Sequence, residues 1–241
     1  MGLHELWHGL CKLKCRYNIM NNKTNKYKQG VIQAIQAFVK QKLANDFSGH
    51  DMAHIERVVR LTEQILQHEP KANAFIVIVS AYLHDVIDEK VVANVNQAIM
   101  ELRNYLILQA LTDNEIKMIF DIIENMSYRK NLNQKKTLSL EGQIVQDADR
   151  LDALGAIGIG RTFYYGGNKH NIMYDPNISP RMVLDEDNYK RPNTVINHFY
   201  EKLLLLKDMM NTQTAKKLAE PRHQFLVQFV EQFEKEWTGK E

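Results

Sequence analysis

Residues 81–90, AYLHDVIDEK, end a nearly all-apolar run that begins at Ala72. The run continues without a turn signal for longer than a typical strand, so it favours a buried helix. At its end His84 and Asp85 stand side by side, and a second carboxylate and a lysine follow within two helical turns. Buried polar groups are tolerated when they are hydrogen-bonded, which explains one such side chain more readily than two neighbours. Taken alone, the pair leaves a structural and a functional role open.

Helical patterns flank this run on both sides. Residues 29–43 repeat apolar side chains at three- and four-residue intervals, as in an amphipathic helix. Ser48 and Asp51 have the spacing of a capping box and predict a second helix that begins near Gly49. The remaining predicted helices cover residues 91–108, 112–130 (opened by a second capping box, Thr112 and Glu115), 140–157, 194–210 and 214–237.

The chain contains no credible run of alternating strands, no internal repeat and no low-complexity tract. The sequence therefore predicts an all-α protein, a single-domain helical bundle. Residues 1–28 are expected to form a dispensable N-terminal extension, and residues 29–241 the folded domain with a C-terminal helical layer that packs without catalytic residues. Residues 166–192 are rich in Gly, Pro, Asn and Asp and are a candidate lid or substrate loop.

The composition limits the class of partner. Thirty-one basic and 29 acidic residues give a formal charge of +2, which does not favour nucleic acid or a membrane surface. No apolar run reaches the roughly 18 residues of a membrane span, and no secretory signal is evident, so we expect a cytoplasmic protein. Cys11 and Cys15 accompany His4 and His8, but on one helix these would extend over roughly 16 Å and could not share an ion.

Imidazoles and carboxylates recur near apolar residues of three predicted helices. They are His54, His84, Asp85 and Asp149. Two nitrogens and two carboxylate oxygens suit Mn, Fe, Co, Ni or Zn better than a soft metal or calcium. A bound divalent ion would acidify a water molecule and neutralise phosphate oxygens. The spacing of these residues along the chain does not by itself show that the three helices meet.

Three strings in order, GHDMAHIERV (49–58), AYLHDVIDEK (81–90) and VQDADRLDALGAIGIGR (145–161), resemble the HD-domain superfamily of metal-dependent phosphohydrolases. They are most similar to a bacterial subgroup of nucleoside triphosphate pyrophosphohydrolases. The later pieces FYYGG, HFYEKLLLL, RHQFLVQF and EKEW share this likeness, so it covers about residue 29 to the C-terminus. The resemblance implies a helical bundle of the HD-domain type and a hydrolase over 29–241.

The resemblance also implies a metal site with His54 as first ligand, His84 and Asp85 as the central pair and Asp149 as the last. Asp147 is the alternative for the last position. Two-metal members of the superfamily use extra histidines between the central pair and the final aspartate, and none lies there in this chain. One divalent ion is therefore expected, Mn first, with Fe, Co, Ni, Zn or Mg as alternatives.

Further residues are candidates for catalysis and substrate binding. By resemblance, Asp88 is at a position used to orient or deprotonate the attacking water; a solvated carboxylate at the helix end is the alternative. Lys90 is expected beside it in catalysis. His50 could replace His54 or assist the substrate. The expected substrate-binding residues are Arg57, His50, Lys130, Arg150 and Arg161, because arginine can grip phosphate through two parallel hydrogen bonds. A surface or structural ion pair is the alternative role for each of these Lys and Arg residues.

The expected activity is cleavage of a nucleoside or deoxynucleoside triphosphate to the monophosphate and pyrophosphate. A nucleoside monophosphatase or a phosphodiesterase of the same superfamily is the alternative enzyme, and a non-catalytic metal-binding regulatory module is the alternative from another class. The partner is expected to be a small-molecule nucleotide, with no nucleic acid and no membrane, and a homodimer is a possible assembly.

Overall fold

The computed structural model describes residues 26–44, 49–185, 188–191 and 193–240. Every regular element within these ranges is helical, which confirms the all-α prediction. The helices are α1 (residues 26–42), α2 (Met52–Leu66), α3 (Ala74–Leu83), α4 (Val95–Leu108), α5 (Asp113–Ile123), α6 (Lys130–Asn133), α7 (Leu140–Asp152), α8 (Gly155–Asn168), α9 (Val195–Glu201) and α10 (Gln213–Thr238), with 3-10 segments at Asn188–Lys190 and Leu203–Met209.

Three helices form the centre of the fold. α2 packs against α7 and α3, and α3 also packs against α7 and α5. α3 is apolar on almost every side and is capped by Asn73, so it can be enclosed by its neighbours. Because His54 is on α2, Asp149 is on α7 and His84 directly follows α3, the packing of these helices brings the predicted ligands together.

The start of α2 differs from the prediction. Gly49 has φ of +90°, outside the helical region, and the helix begins at Met52. Asp51 is the cap, since its carboxylate accepts the backbone N–H of His54 at 2.9 Å. Ser48, the other half of the predicted capping box, lies outside the described residues. The capping box of Thr112 and Glu115 at the start of α5 is confirmed.

The predicted helix over 140–157 is wrong as a single element. α7 ends at Asp152, and Gly155 has a left-handed φ of +69° that an L-residue rarely adopts. A Cβ at this position would lie 3.3 Å from the side chain of Arg222 on α10. The break places Asp149 and Asp152 in the last turn of α7 and lets α8 pack against α10.

Other boundaries also differ. α5 ends at Ile123 rather than near Lys130, which begins the short α6 inside the predicted polar loop. The helix predicted over 194–210 is α9 followed by the 3-10 segment Leu203–Met209.

The start of α1 is tied to the rest of the fold. The Tyr27 hydroxyl donates to the carbonyls of Gln109 and Ala110, so residues near 27 belong to the folded body. The leader residues His4, His8, Cys11 and Cys15 lie outside the described ranges.

In the described part of the chain, no helix is both long enough and apolar enough to cross a membrane.

Candidate metal centre

The two predicted histidine ligands are buried and face each other. The Nδ1 atom of His84 donates to the carbonyl of Ala81 at 2.8 Å, and the Nδ1 atom of His54 donates to Asp152 Oδ2 at 2.7 Å. Each imidazole therefore carries its proton on Nδ1 and turns the lone pair of Nε2 inward. The two Nε2 atoms are 3.2 Å apart.

Two carboxylates complete the cluster. Asp85 Oδ2 lies 3.3 Å from His54 Nε2 and 3.4 Å from His84 Nε2. Asp149 Oδ1 lies 3.5 Å and 3.8 Å from the same two atoms. Asp85 is buried, whereas the Asp149 side chain is 40% exposed. We call these four residues the four-residue cluster.

The cluster fits a divalent metal ion. Two nitrogen lone pairs and two carboxylate oxygens converge, and no proton lies between the nitrogens. These electron-rich atoms repel one another unless a cation compensates them. Ligands bound at about 2.1 Å to one ion stand about 3.0 to 3.4 Å from one another, near the separations observed. His54, His84 and Asp149 form one of the two groups of described residues that could hold a metal ion, and His50, His54 and Asp85 form the other.

His50 is not among the four predicted ligands, but it contacts one of them. Its Nδ1 atom donates to Asp85 Oδ2 at 2.8 Å. Burial opposes the charge of Asp85, yet His84 and His50 hold the pKa of that carboxyl well below its usual range. The contact orients Asp85, and His50 belongs to the second group of possible metal-binding residues.

Asp152 is a functional residue that the sequence reasoning missed. Its Oδ2 atom holds His54 Nδ1, and its two oxygens also accept Nε and a terminal nitrogen of Arg57 at 2.7 and 3.0 Å. Arg161 is 3.0 Å from the same Oδ2. A carboxylate bonded to the outer nitrogen of a ligating histidine fixes its orientation. The signal in the sequence was the three-residue spacing from Asp149, which places both on one face of α7.

Asp147, the alternative to Asp149, points away from the cluster. Its carboxylate accepts the backbone N–H groups of Asn211 and Thr212 and their side chains, at 2.7 to 3.1 Å. It is fully buried and ties α7 to the start of α10. Neither group of possible metal-binding residues contains it.

A cavity of about 1100 Å³ opens beside the cluster, large enough for a nucleotide. His84, Asp85 and Asp149 line it, as do both predicted catalytic residues, Asp88 and Lys90. Asp88 Oδ1 accepts the backbone N–H of Lys90 at 2.9 Å, which fixes the turn after α3. Asp88 is half-buried in the wall of the same cavity.

The predicted substrate-binding residues divide into two sets. His50, Lys130, Arg150 and Arg161 line the cavity, whereas Arg57 does not and is held by Asp152. Lys130 also donates to the carbonyl of Glu124 at 3.2 Å, and Arg150 to that of Met209 at 2.5 Å. Arg150 is almost fully buried.

The C-terminal layer contributes to the cavity, contrary to the expectation that it only packs. Tyr189, from the predicted lid segment, and His198 and Lys202, from α9 and its end, line the wall. The segment is fastened by Arg181, whose Nε and terminal nitrogen donate to the two oxygens of buried Glu201 at 2.9 and 2.6 Å. A run of leucines follows Lys202, and this apolar pattern predicted only packing.

This helical fold, with two histidines and two aspartates at its centre, defines a class of protein. The family model for the HD domain matches residues 52–154, from the start of α2 to the break before α8. The chain belongs to the HD-domain superfamily and is a hydrolase of that superfamily.

Individual relatives match this chain over most of its length. The chain is 40% identical over 208 residues to the protein YpgQ of Bacillus subtilis (strain 168), covering 86% of this chain and 94% of YpgQ. The crystal structure of YpgQ in complex with ADP superposes with a TM-score of 0.69, at 35% identity over 87% of this chain and 96% of that one. A protein from Lactobacillus plantarum gives a TM-score of 0.82 at 46% identity, over 87% and 98% of the two chains. An HD-superfamily hydrolase from Bacillus thuringiensis gives 0.68 at 44% identity, over 88% and 98%.

Proposed function

We propose that the protein is a metal-dependent nucleoside triphosphate pyrophosphohydrolase, which cleaves a nucleoside or deoxynucleoside triphosphate to the monophosphate and pyrophosphate. The observation that carries the proposal is the convergence of four metal-ligand atoms on the wall of a large cavity that also carries a surplus of cations. Nine Lys and Arg residues line this cavity against six Asp and Glu residues. A highly charged phosphate chain matches that surplus, and ADP bound to YpgQ is consistent with a nucleotide.

The chain's own residues would share the work as follows. His54, His84, Asp85 and Asp149 would hold one divalent ion, with Mn²⁺ as the first candidate. When bound, such an ion supplies an acidified water molecule and positive charge against phosphate oxygens. Asp152 keeps the Nδ1 proton on His54, and His50 orients Asp85.

Asp88 would orient or deprotonate the water that attacks the phosphorus next to the cluster. Its position in the wall, directly after the ligand pair, supports this role. Lys90 follows in the same turn and would neutralise charge on the phosphates. Proton transfer by a positioned carboxylate of this kind contributes typically about 10²- to 10⁴-fold to a rate.

A manganese-supplemented assay on a panel of nucleoside triphosphates, diphosphates, monophosphates and cyclic nucleotides tests the proposal. The expected products are monophosphate and pyrophosphate from triphosphates. Release of orthophosphate without pyrophosphate would overturn the cleavage position, and turnover of only monophosphates or cyclic nucleotides would favour the alternative enzymes.

A variant separates catalysis from mere metal binding. His84→Ala should lose both the ion and turnover, whereas the surface change Lys42→Met, which removes a pair with Glu101 and a contact with the Phe38 ring, should keep both. Unchanged metal content and unchanged activity in His84→Ala would instead favour a regulatory module.

A further inference from the structure

We propose that Lys90, Tyr189 and Lys202 form a second phosphate-binding subsite, which takes the terminal phosphates of the substrate and the pyrophosphate released from it. The inference rests on the proposed function for the identity of the substrate. The subsite itself is defined by these three side chains, and we call it the distal subsite.

The three side chains come from separate elements and meet in one wall. Lys90 is in the turn after α3, Tyr189 is in the 3-10 segment Asn188–Lys190, and Lys202 directly follows α9. All three line the cavity that contains His84, Asp85 and Asp149. The Tyr189 ring lies 5.8 Å, centre to centre, from the Tyr128 ring, and the Nζ atom of Lys202 lies 5.0 Å from the centre of that same Tyr128 ring.

Neither lysine is paired directly with a carboxylate. Arg181 nearby has a bidentate partner in Glu201, but within the described ranges neither Lys90 nor Lys202 has a carboxylate oxygen within 4.0 Å. Two ammonium groups that share a wall and have no carboxylate in direct contact offer a site for an anion. Tyr189 adds a hydroxyl that can hydrogen-bond to phosphate oxygens.

Two neighbouring groups report the positive potential of this wall. Burial lowers the pKa of His198 to about 3, with further lowering by Lys202, Lys90 and Arg181, so the imidazole is neutral near pH 7. Burial opposes ionisation of Tyr189, yet Lys202 and Lys90 bring its pKa below the ordinary value. An anion in the distal subsite would offset this positive potential.

The place of the distal subsite in the cavity indicates which phosphates bind there. Lys90 and Lys202 line the same cavity as His84, Asp85 and Asp149, but they come from the turn after α3 and from the end of α9. If the phosphorus next to the four-residue cluster is the one attacked, the phosphates beyond it are the ones left for the two lysines. The distal subsite would therefore favour a triphosphate over a monophosphate.

Isothermal titration calorimetry with inorganic pyrophosphate, in the presence of Mg²⁺, tests the distal subsite without turnover. Lys202→Met should weaken pyrophosphate binding by about 10-fold or more, because a hydrogen bond to a charged group is lost. Tyr189→Phe should weaken it less, and orthophosphate binding should change little in either variant. Lys207→Met is the matched control, since Lys207 lies five residues further on, pairs with Glu220 and does not line the cavity.

Wild-type pyrophosphate affinity in folded Lys202→Met would overturn the inference, as would an equal loss in Lys207→Met. If Lys202→Met does not fold, unchanged binding in Tyr189→Phe together with unchanged binding in Lys202→Gln would overturn it instead. The outcome is separate from the proposed function. Triphosphate hydrolysis with Lys202-independent pyrophosphate binding contradicts only the subsite, whereas Lys202-dependent binding without hydrolysis of triphosphates contradicts only the function.

Discussion

Replacing Asp152 by asparagine should weaken Mn²⁺ binding at the four-residue cluster, although Asp152 is not itself a predicted ligand. In the native chain its Oδ2 atom fixes the Nδ1 proton of His54 at 2.7 Å, and Arg57 and Arg161 hold the carboxylate in place. An asparagine can orient its amide in two ways. If its NH₂ faces His54, the imidazole must move its proton to Nε2 and lose the lone pair that would bind the ion.

If the amide is turned the other way, its NH₂ faces Nε of Arg57, and two donors oppose each other where a 2.7 Å hydrogen bond now stands. Both orientations disturb His54. Loss of such outer partners typically costs about 10- to 100-fold in metal affinity, equivalent to about 1.4 to 2.7 kcal/mol. Competition against a fluorescent chelator measures the affinity directly, and circular dichroism confirms that the variant is folded.

Asp147→Asn is the matched control for this experiment. Asp147 is on the same helix and is equally buried, but it accepts hydrogen bonds from Asn211 and Thr212 instead of a histidine. The control should lower the unfolding temperature and leave Mn²⁺ affinity unchanged. Native affinity in folded Asp152→Asn, or an equal loss of affinity in Asp147→Asn, would refute the role assigned to Asp152.

Three further outcomes are expected. Gly155→Ala should lower the free energy of unfolding by about 1 to 2 kcal/mol in chemical denaturation, because the left-handed φ is strained for alanine and Arg222 lies 3.3 Å from the added Cβ. His198 has a folded pKa near 3, well below its unfolded value, so the unfolded chain binds the extra proton and stability falls as the pH drops from about 6.5 toward 3. His198→Asn should show a shallower loss over that window in thermal melts, and an unchanged slope would contradict the assignment. Dialysis against EDTA should abolish hydrolysis and Mn²⁺ should restore it; full activity in metal-free protein would contradict a metal centre.

The sequence predicted the parts of this protein that depend on local pattern. Apolar periodicity and the Thr112–Glu115 capping box identified the helices, and three ordered motifs placed His54, His84, Asp85 and Asp149 in one family arrangement. In the structure, an oxygen of each of these two aspartates lies within 3.8 Å of the Nε2 atoms of both histidines. The metal they bind and the reaction they support stay predictions.

The parts that sequence reasoning missed depend on contacts between distant residues. Asp152 meets His54 across 98 positions, and its three-residue spacing from Asp149 indicates only that the two share a face of α7. The break at Gly155 depends on a backbone angle that apolar spacing does not record. Lys202 was hidden because a 3-10 segment follows it, and the period of that segment resembles a helix over a few residues.

The position of the attacked phosphorus tests the central claim most directly. The protein should be incubated with a deoxynucleoside triphosphate and Mn²⁺ in H₂¹⁸O, and the products analysed by mass spectrometry. Attack on the phosphorus nearest the sugar places the label in the monophosphate and leaves the pyrophosphate unlabelled, which is the result we predict. Label in pyrophosphate, or a diphosphate product with labelled orthophosphate, would contradict the proposed pyrophosphohydrolase activity.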